Sequence, residues 1–182
     1  TKDGGVVVWV VGDATINGSE TGTSFLHALY FKEIGFKLHD TMIYKKSNYI
    51  PLTHNRYDQA WEFMFILSKG KPKTWNPLCE PTHYPGAKKS RRGAKGQNGQ
   101  SIRERNEFTI VNKFRLRANI WEYMIGHQNI VTTGKHPAPF PLQLATDHIL
   151  SWSNEGDTVL DCFAGSGTTG VACLNTGRKF IL

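Results

Sequence analysis

The sequence lacks the features that would mark a membrane, secreted or metal-binding protein. No apolar run approaches the roughly 18 residues of a membrane span, and the short one after Lys2 ends at Asp13, unlike a signal peptide. Only three cysteines occur, Cys79, Cys162 and Cys173, and their spacing fits neither a metal site nor a disulfide framework. These absences predict a protein of a reducing cytoplasm, with no membrane partner and no metal.

Acidic residues are in the minority, 15 against 22 Lys and Arg, which gives a net charge of +7. Most of the excess is concentrated, because residues 82 to 105 hold seven basic residues and one acid, Glu104. The stretch could be a solvated loop. It could equally bind a polyanion, since Lys and Arg displace counterions from phosphates.

Hydrophobic patterning predicts an alternating α/β order. GGVVVWVVGD is typical of a buried strand, and a helix is expected over residues 20–34, ending before Gly35. Further strands are expected at residues 38–44, 61–67, 158–160 and 179–182, and further helices at residues 142–152 and 168–175. From residue 72 to about 110 Pro, Gly, Ser and basic residues dominate, which predicts a long loop or a partly ordered insert. The alternation favours a sheet flanked by helices.

A glycine-rich turn, DCFAGSGTTG at residues 161–170, follows a predicted strand and opens a predicted helix. Glycines permit a tight turn and close approach of a ligand, and a helix N-terminus offers free N–H groups. A phosphate-binding P-loop is disfavoured because no Lys follows the glycines. A dinucleotide site and an S-adenosylmethionine site both remain open on this pattern, as does a plain strand-to-helix turn.

Two segments carry a resemblance to a known family. The first is VLDCFAGSGTTGVA, which is similar to the motif VLDPF-x-GSGTTG-x-A with Cys162 in place of the proline. The second is HPAPFP at residues 136–141, 25 residues before Asp161. Together these two segments resemble the DNA amino-methyltransferases of phages and bacteria, which modify adenine N6 or cytosine N4, and identify the chain as a member of that family. GGVVVWVVGD, WEFMFILSKG and NIW resemble further family segments in the same order.

The resemblance implies an α/β fold, a Rossmann-like S-adenosylmethionine-dependent methyltransferase sheet with helices on both faces and a permuted motif order. Residues 1–182 would form a single methyltransferase domain, and the basic insert at residues 72–118 would be its target-recognition region. The implied cofactor is S-adenosylmethionine, and the implied partner is double-stranded DNA. Whether the protein is a monomer or a dimer stays open. A non-catalytic DNA-binding module derived from such an enzyme is the alternative.

The family's catalytic signature, [D/S]-Pro-Pro-[Y/F/W], does not occur, because the sequence has no Pro-Pro pair. By the family order it belongs upstream of Thr1, and the acid for the ribose hydroxyls belongs beyond Leu182. We therefore expect a chain that is incomplete at both ends, binds the cofactor weakly and transfers no methyl group alone. No catalytic residue is assigned, and the choice between adenine and cytosine stays open.

The resemblance also implies site residues. Expected cofactor contacts are Asp161, Phe163, Gly165, Ser166, Gly167, Thr168, Lys135, His136 and Phe140. Expected DNA contacts are Lys88, Lys89, Arg91, Arg92, Arg103, Arg56 and Tyr57. For Asp161 and Asp13 a turn-capping role is the alternative to a place beside the cofactor. For Phe140 the alternative is a core anchor, and for Phe163 it is packing under the loop. Cys162 and Cys173 are expected to be small packed residues, because the family forms no covalent cysteine intermediate.

Overall fold

The computed structural model describes residues 1–49, 51, 55–90, 108–125 and 140–182. By their internal contacts the residues form two compact units. One contains Thr1–Asn76 and Ala118–Leu182, and the other contains Pro77–Arg117. Among the described residues no helix combines the length and the apolar character that crossing a membrane requires.

The larger unit is built on a four-stranded mixed sheet. Its strands are β1 (Val6–Val11), β4 (Lys37–Lys46), β5 (Trp61–Ser68) and β10 (Ile120–Tyr123), in the order β1-β5-β4-β10. β5 runs antiparallel to both neighbours, and β10 runs parallel to β4. The antiparallel strand in the middle lets β4 and β5 follow each other in sequence, which a parallel pair without a crossover could not do.

The two faces of β5 contact different helices. Phe65 and Leu67 are buried with Ala28 of α1 (Thr23–Glu33). Met64 points to the opposite face, because side chains alternate along a strand, and its sulfur lies 3.2 Å from Nε2 of His148. His148 belongs to α2 (Leu142–Trp152). The prediction of an α/β sheet with helices on both faces is therefore confirmed.

A second sheet in this unit pairs β11 (Thr158–Leu160) with β12 (Lys179–Ile181) in parallel. The connection between them is α3 (Thr168–Asn175), whose buried Ala172 and Cys173 pack against Ala145 and Ile149 of α2. This small core fixes α3, and with it the turn that precedes α3. The observed bounds of α2, β11 and α3 agree with the sequence-based prediction.

One short hairpin was missed by the sequence analysis. β2 (Thr15–Ile16) pairs with β3 (Ser19–Glu20), and both residues of its tip have positive φ angles, 51° at Asn17 and 78° at Gly18. These angles are those of a type I′ turn, for which Asn-Gly is the favoured pair. The signal was therefore present in the sequence.

The smaller unit fits the partly ordered insert rather than the long loop, the two alternatives that the sequence left open. It contains β6 (Cys79–Pro81), β7 (Lys88–Ser90), β8 (Phe108–Ile110) and β9 (Phe114–Leu116). β6 pairs with β9 and β7 pairs with β8, both antiparallel. An ion pair between Arg115 and Glu80 (2.7 Å) joins β9 to β6. The strands escaped detection because each has only three residues, too few for an alternating pattern to show.

Candidate cofactor site

The glycine-rich turn lies between β11 and α3. Gly165 and Gly167 have φ angles of 52° and 82°, a region that residues with a Cβ rarely adopt. Gly167 occupies the position before the first residue of α3, and no side chain caps that end. Nothing lies within 4 Å of the point where a Cβ of Gly167 would stand. The turn therefore presents open space in front of backbone N–H groups at a helix N-terminus, a place that favours anionic groups.

Asp161 shapes this turn with both carboxylate oxygens. Oδ1 accepts a hydrogen bond from the backbone N–H of Phe163 at 2.9 Å, and Oδ2 accepts one from Oγ1 of Thr169 at 2.6 Å. The acid thereby links the end of β11 to the first turn of α3. Of its two expected roles, the structure shows the capping of the turn. Thr169 was not among the expected site residues, because only the folded turn brings it to Asp161.

Ser166 and Thr168 point toward each other, with 3.3 Å between their hydroxyl oxygens. The Thr168 side chain is buried, whereas Ser166 is partly accessible. A ligand in the turn would therefore meet Thr168 through its backbone N–H. Ser166 could offer its hydroxyl as well.

Phe163 is 76% exposed, and its ring packs edge-on against Trp9 of β1, with 5.7 Å between the ring centroids. Phe140 behaves differently, since it packs against the core shared by α2 and α3. That placement fits the core-anchor alternative. Lys135 and His136 lie outside the described residues.

Asp13 caps a different helix. Its carboxylate accepts hydrogen bonds from the backbone N–H of Ser24 at 2.9 Å, from the Ser24 hydroxyl, and from Thr21 Oγ1 at 3.3 Å. Burial by itself would raise the pKa of Asp13, but the hydrogen bonds from Ser24 and Thr21 outweigh burial and lower it. Asp13 therefore holds the N-terminus of α1, the role that the sequence analysis offered as an alternative.

The two cysteines near the turn differ. Cys173 is buried between α2 and α3, and its pKa is raised by burial, an effect that the Arg178 charge opposes. A protonated, enclosed thiol is inert. Cys162 is exposed, so the expectation that it is a packed residue was wrong. It directly follows Asp161 in the chain. Groups of three or more His, Cys, Asp or Glu that could hold a metal do not occur in the described part of the chain.

The expected DNA contacts fall into three groups. The Arg56 guanidinium contacts the carbonyl of Gly18 and lies 3.7 Å from Glu20, so it is already engaged by the β2–β3 hairpin. Tyr57 next to it is fully exposed, and Lys88 is exposed at the start of β7. Lys89 follows in the same strand, and Arg91, Arg92 and Arg103 lie outside the described residues.

The whole chain matches one family model, N6_N4_Mtase, described as DNA methylase, over residues 1–182. The orphan methyltransferase M.BamHII of Bacillus amyloliquefaciens is 51% identical over 186 residues, which cover 100% of this chain and 70% of the relative. The type II methyltransferase M.Cfr9I of Citrobacter freundii is 28% identical over 85% of this chain, which spans 42% of that relative.

Solved structures agree with the family match. PvuII DNA methyltransferase (cytosine-N4-specific) superposes with a TM-score of 0.69 at 19% identity, over 99% of this chain and 59% of that one. M1.HpyAVI, solved as a SAM complex, superposes with a TM-score of 0.55 at 26% identity, over 99% of this chain and 68% of that one. The predicted cofactor, S-adenosylmethionine, is thereby confirmed for this family. The resemblance noted in the sequence is confirmed as well, and the chain belongs to the N6_N4_Mtase family of DNA methylases.

Proposed function

We propose that the protein transfers a methyl group from S-adenosylmethionine to the exocyclic amino nitrogen of adenine or cytosine in double-stranded DNA. The observation that carries this proposal is the turn at residues 161–169, a structured strand-to-helix turn in a chain of this family. A DNA substrate would place the protein in the cytoplasm, in agreement with its three free cysteines.

The residues of the turn fit S-adenosylmethionine. The open space at Gly167 admits a ligand close to the backbone, and the N-terminus of α3 suits the carboxylate of the cofactor. Phe163 offers an exposed ring as a wall. Asp161, Gly165, Ser166 and Thr168 complete the turn, and we include Lys135 and His136 as contributors. Phe140 is included in the role of a core anchor beside α2 and α3.

The cofactor supplies an activated methyl group on a sulfonium. The contribution of the protein is to hold that methyl group in line with the target nitrogen, and positioning of two reactants accounts for a large part of such accelerations. The target base must leave the duplex to reach such a site. The buried Cys173 thiol has no nucleophilic role in the proposal, because burial raises its pKa.

DNA binding is proposed for the basic insert, residues 72–118, as a target-recognition region. Lys88 is exposed there, and Lys89, Arg91, Arg92 and Arg103 add to its charge. Tyr57 is included because its ring is fully exposed. Arg56 would first have to release Gly18 and Glu20. Each phosphate contact should make the slope of log K against log salt more negative by about 0.9.

The cofactor proposal is tested by titrating the chain with S-adenosylhomocysteine, and separately with NAD. We expect weak, saturable binding of S-adenosylhomocysteine, no binding of NAD, and loss of binding in Gly167→Val, which cannot adopt the observed φ without strain. Saturable binding of NAD alone would overturn the assignment. Gly35→Val, at a positive φ of 96° outside the turn, is the matched control for backbone strain.

We further propose that these 182 residues transfer no methyl group by themselves, because the sequence contains no Pro-Pro pair. Transfer of labelled methyl groups to DNA above a control without protein would contradict this. A non-catalytic DNA-binding module is the second candidate, supported by the same missing pair and by the basic insert. Salt-dependent DNA binding without any binding of S-adenosylhomocysteine would favour that candidate.

A further inference from the structure

Trp9 is the point at which the central sheet meets the glycine-rich turn. It lies within β1, and its indole packs edge-on against Phe163, with 5.7 Å between centroids and 78° between planes. Among the described residues, Trp9 is the one aromatic side chain in ring contact with Phe163. A side chain that is 76% exposed has little else to fix its rotamer. The orientation of Phe163 therefore depends on Trp9.

Trp9 is itself held from the side of α1. Its Nε1 donates a hydrogen bond to Nδ1 of His27 at 3.1 Å, and its ring packs against Phe31 with 5.2 Å between centroids. α1 in turn begins at the hydrogen bonds between Ser24 and Asp13. Rotating the indole away from Phe163 would break its hydrogen bond and its packing with the helix. Trp9 is thus a rigid support.

We propose that Trp9 is a positioning residue for the cofactor site, acting through Phe163, and that His27 fixes the indole in this role. The inference rests on the proposed binding of S-adenosylmethionine at the turn. If Phe163 forms a wall of that site, its ring must be held in one orientation before the ligand arrives, because ordering it on binding would weaken affinity. The edge-on contact with Trp9 supplies that order.

The test uses the chain labelled with 5-fluorotryptophan. Each of its five tryptophans should then give a fluorine resonance. Trp9→Phe assigns the resonance of Trp9. Titration with S-adenosylhomocysteine should shift the Trp9 resonance of the wild type. Fluorine resonances can follow weak binding. Trp9→Leu lacks the Trp9 resonance, so its affinity is compared with that of the wild type by calorimetric titration with S-adenosylhomocysteine. It should bind about 3- to 10-fold more weakly, the range expected from one aromatic pair. His27→Phe, which removes the acceptor, should weaken binding in the same direction by a smaller factor.

A double-mutant cycle separates positioning from general stability. If Trp9 acts through Phe163, adding Trp9→Leu to Phe163→Leu should cause no further loss of affinity, since coupled residues are not additive. Trp61→Leu is the matched control. That indole also packs on a sheet phenylalanine, Phe63 at 4.8 Å, and is 41% exposed, so its removal should leave affinity unchanged. Thermal unfolding of every variant reports the loss of stability independently.

The outcomes distinguish the two proposals. If the wild type shows no saturable shift with S-adenosylhomocysteine, the cofactor site itself is refuted, and the role of Trp9 falls with it. If the wild type binds and Trp9→Leu binds equally well, only the role of Trp9 is refuted. Losses from Trp9→Leu and Phe163→Leu that add fully in the double variant would also refute it. A loss in Trp61→Leu equal to that in Trp9→Leu would show a general effect of stability.

Discussion

Removing the Asp161 carboxylate should loosen the glycine-rich turn. Asp161→Ala deletes both hydrogen bonds, to the Phe163 N–H and to the Thr169 hydroxyl. Hydrogen bonds to a charged group contribute roughly 1.5–3 kcal/mol each when well enclosed. Asp161 is only half-buried, so hydrogen bonds from water can replace part of this contribution in the variant. We therefore expect a loss of about 2 kcal/mol in the free energy of unfolding.

Two further variants separate the contributions of the two hydrogen bonds to this loss. Thr169→Val removes one of the two bonds and should cost about 1 kcal/mol. Asp161→Asn keeps an acceptor for the Phe163 N–H, and its amide can donate to the Thr169 hydroxyl, which reverses its own direction. It should therefore cost less than Thr169→Val. Urea denaturation measures the free energy of unfolding of all three variants. A shift of the urea midpoint reports a change in stability where the slope of free energy against urea concentration is unchanged.

The same variants distinguish a turn cap from a direct contact with the cofactor. Because both oxygens of Asp161 are used within the turn, Asp161→Asn should leave affinity for S-adenosylhomocysteine within about threefold of wild type, well under the tenfold that 1.4 kcal/mol represents. A carboxylate that paired with the cofactor's ammonium would lose far more on becoming an amide. If Asp161→Asn lowers stability or affinity as much as Asp161→Ala does, the role of Asp161 as a turn cap is refuted.

Three further predictions concern the support of the site. Asp13→Ala should lower the free energy of unfolding by about 1 kcal/mol at pH 7. This deficit should shrink as the pH falls below 3.8, because the ionised Asp13 carboxylate stabilises the fold and its pKa is held below that ordinary value. The Tyr44 hydroxyl is buried without a hydrogen-bond partner among the described residues, so Tyr44→Phe should be neutral or stabilising by up to about 1 kcal/mol. Burial, and then the charge of Glu62, raise the pKa of Tyr44. As the pH rises above 10 the wild type should therefore lose more stability than Tyr44→Phe, measured by urea titration at each pH. Nδ2 of Asn76 donates hydrogen bonds to the carbonyls of Leu150 and Ser153, both at 3.1 Å, at the C-terminal end of α2. Asn76→Ala should therefore lower the free energy of unfolding by about 1 kcal/mol and leave its dependence on urea concentration unchanged.

The sequence predicted best where local pattern and tertiary structure agree. α2 and α3 were located to the residue, because apolar periodicity and the flanking Pro141 and glycines all mark the same ends. The parallel pairing of β10 with β4 was not predicted, since residues 120–123 are too few for a pattern and their partner lies far away in sequence. Strand order is a long-range property, and no local propensity encodes it.

The candidate site divides in the same way. Gly165 and Gly167 were recognisable because their conformation is a local requirement that shows in the residue type. The engagement of Arg56 by the β2–β3 hairpin was not recognisable, since an arginine beside a tyrosine fits a DNA contact equally well. Trp9 was not recognisable as a support of the site for a similar reason. A tryptophan within an apolar strand gives no indication of which side chain its edge will contact.

The two acids that follow strands in this unit show why carboxylates near the site are poor candidates for direct cofactor contact. Asp13 follows β1 and binds the first turn of α1, and Asp161 follows β11 and binds the first turn of α3. Asp13 accepts hydrogen bonds from the backbone N–H and the hydroxyl of Ser24, whereas Asp161 contacts α3 through the Thr169 hydroxyl and leaves the backbone N–H groups at that helix N-terminus uncapped by a side chain. What then remains for a ligand at the glycine-rich turn is the backbone itself. Affinity for the cofactor should accordingly be more sensitive to a Cβ at Gly167 than to the charge of Asp161.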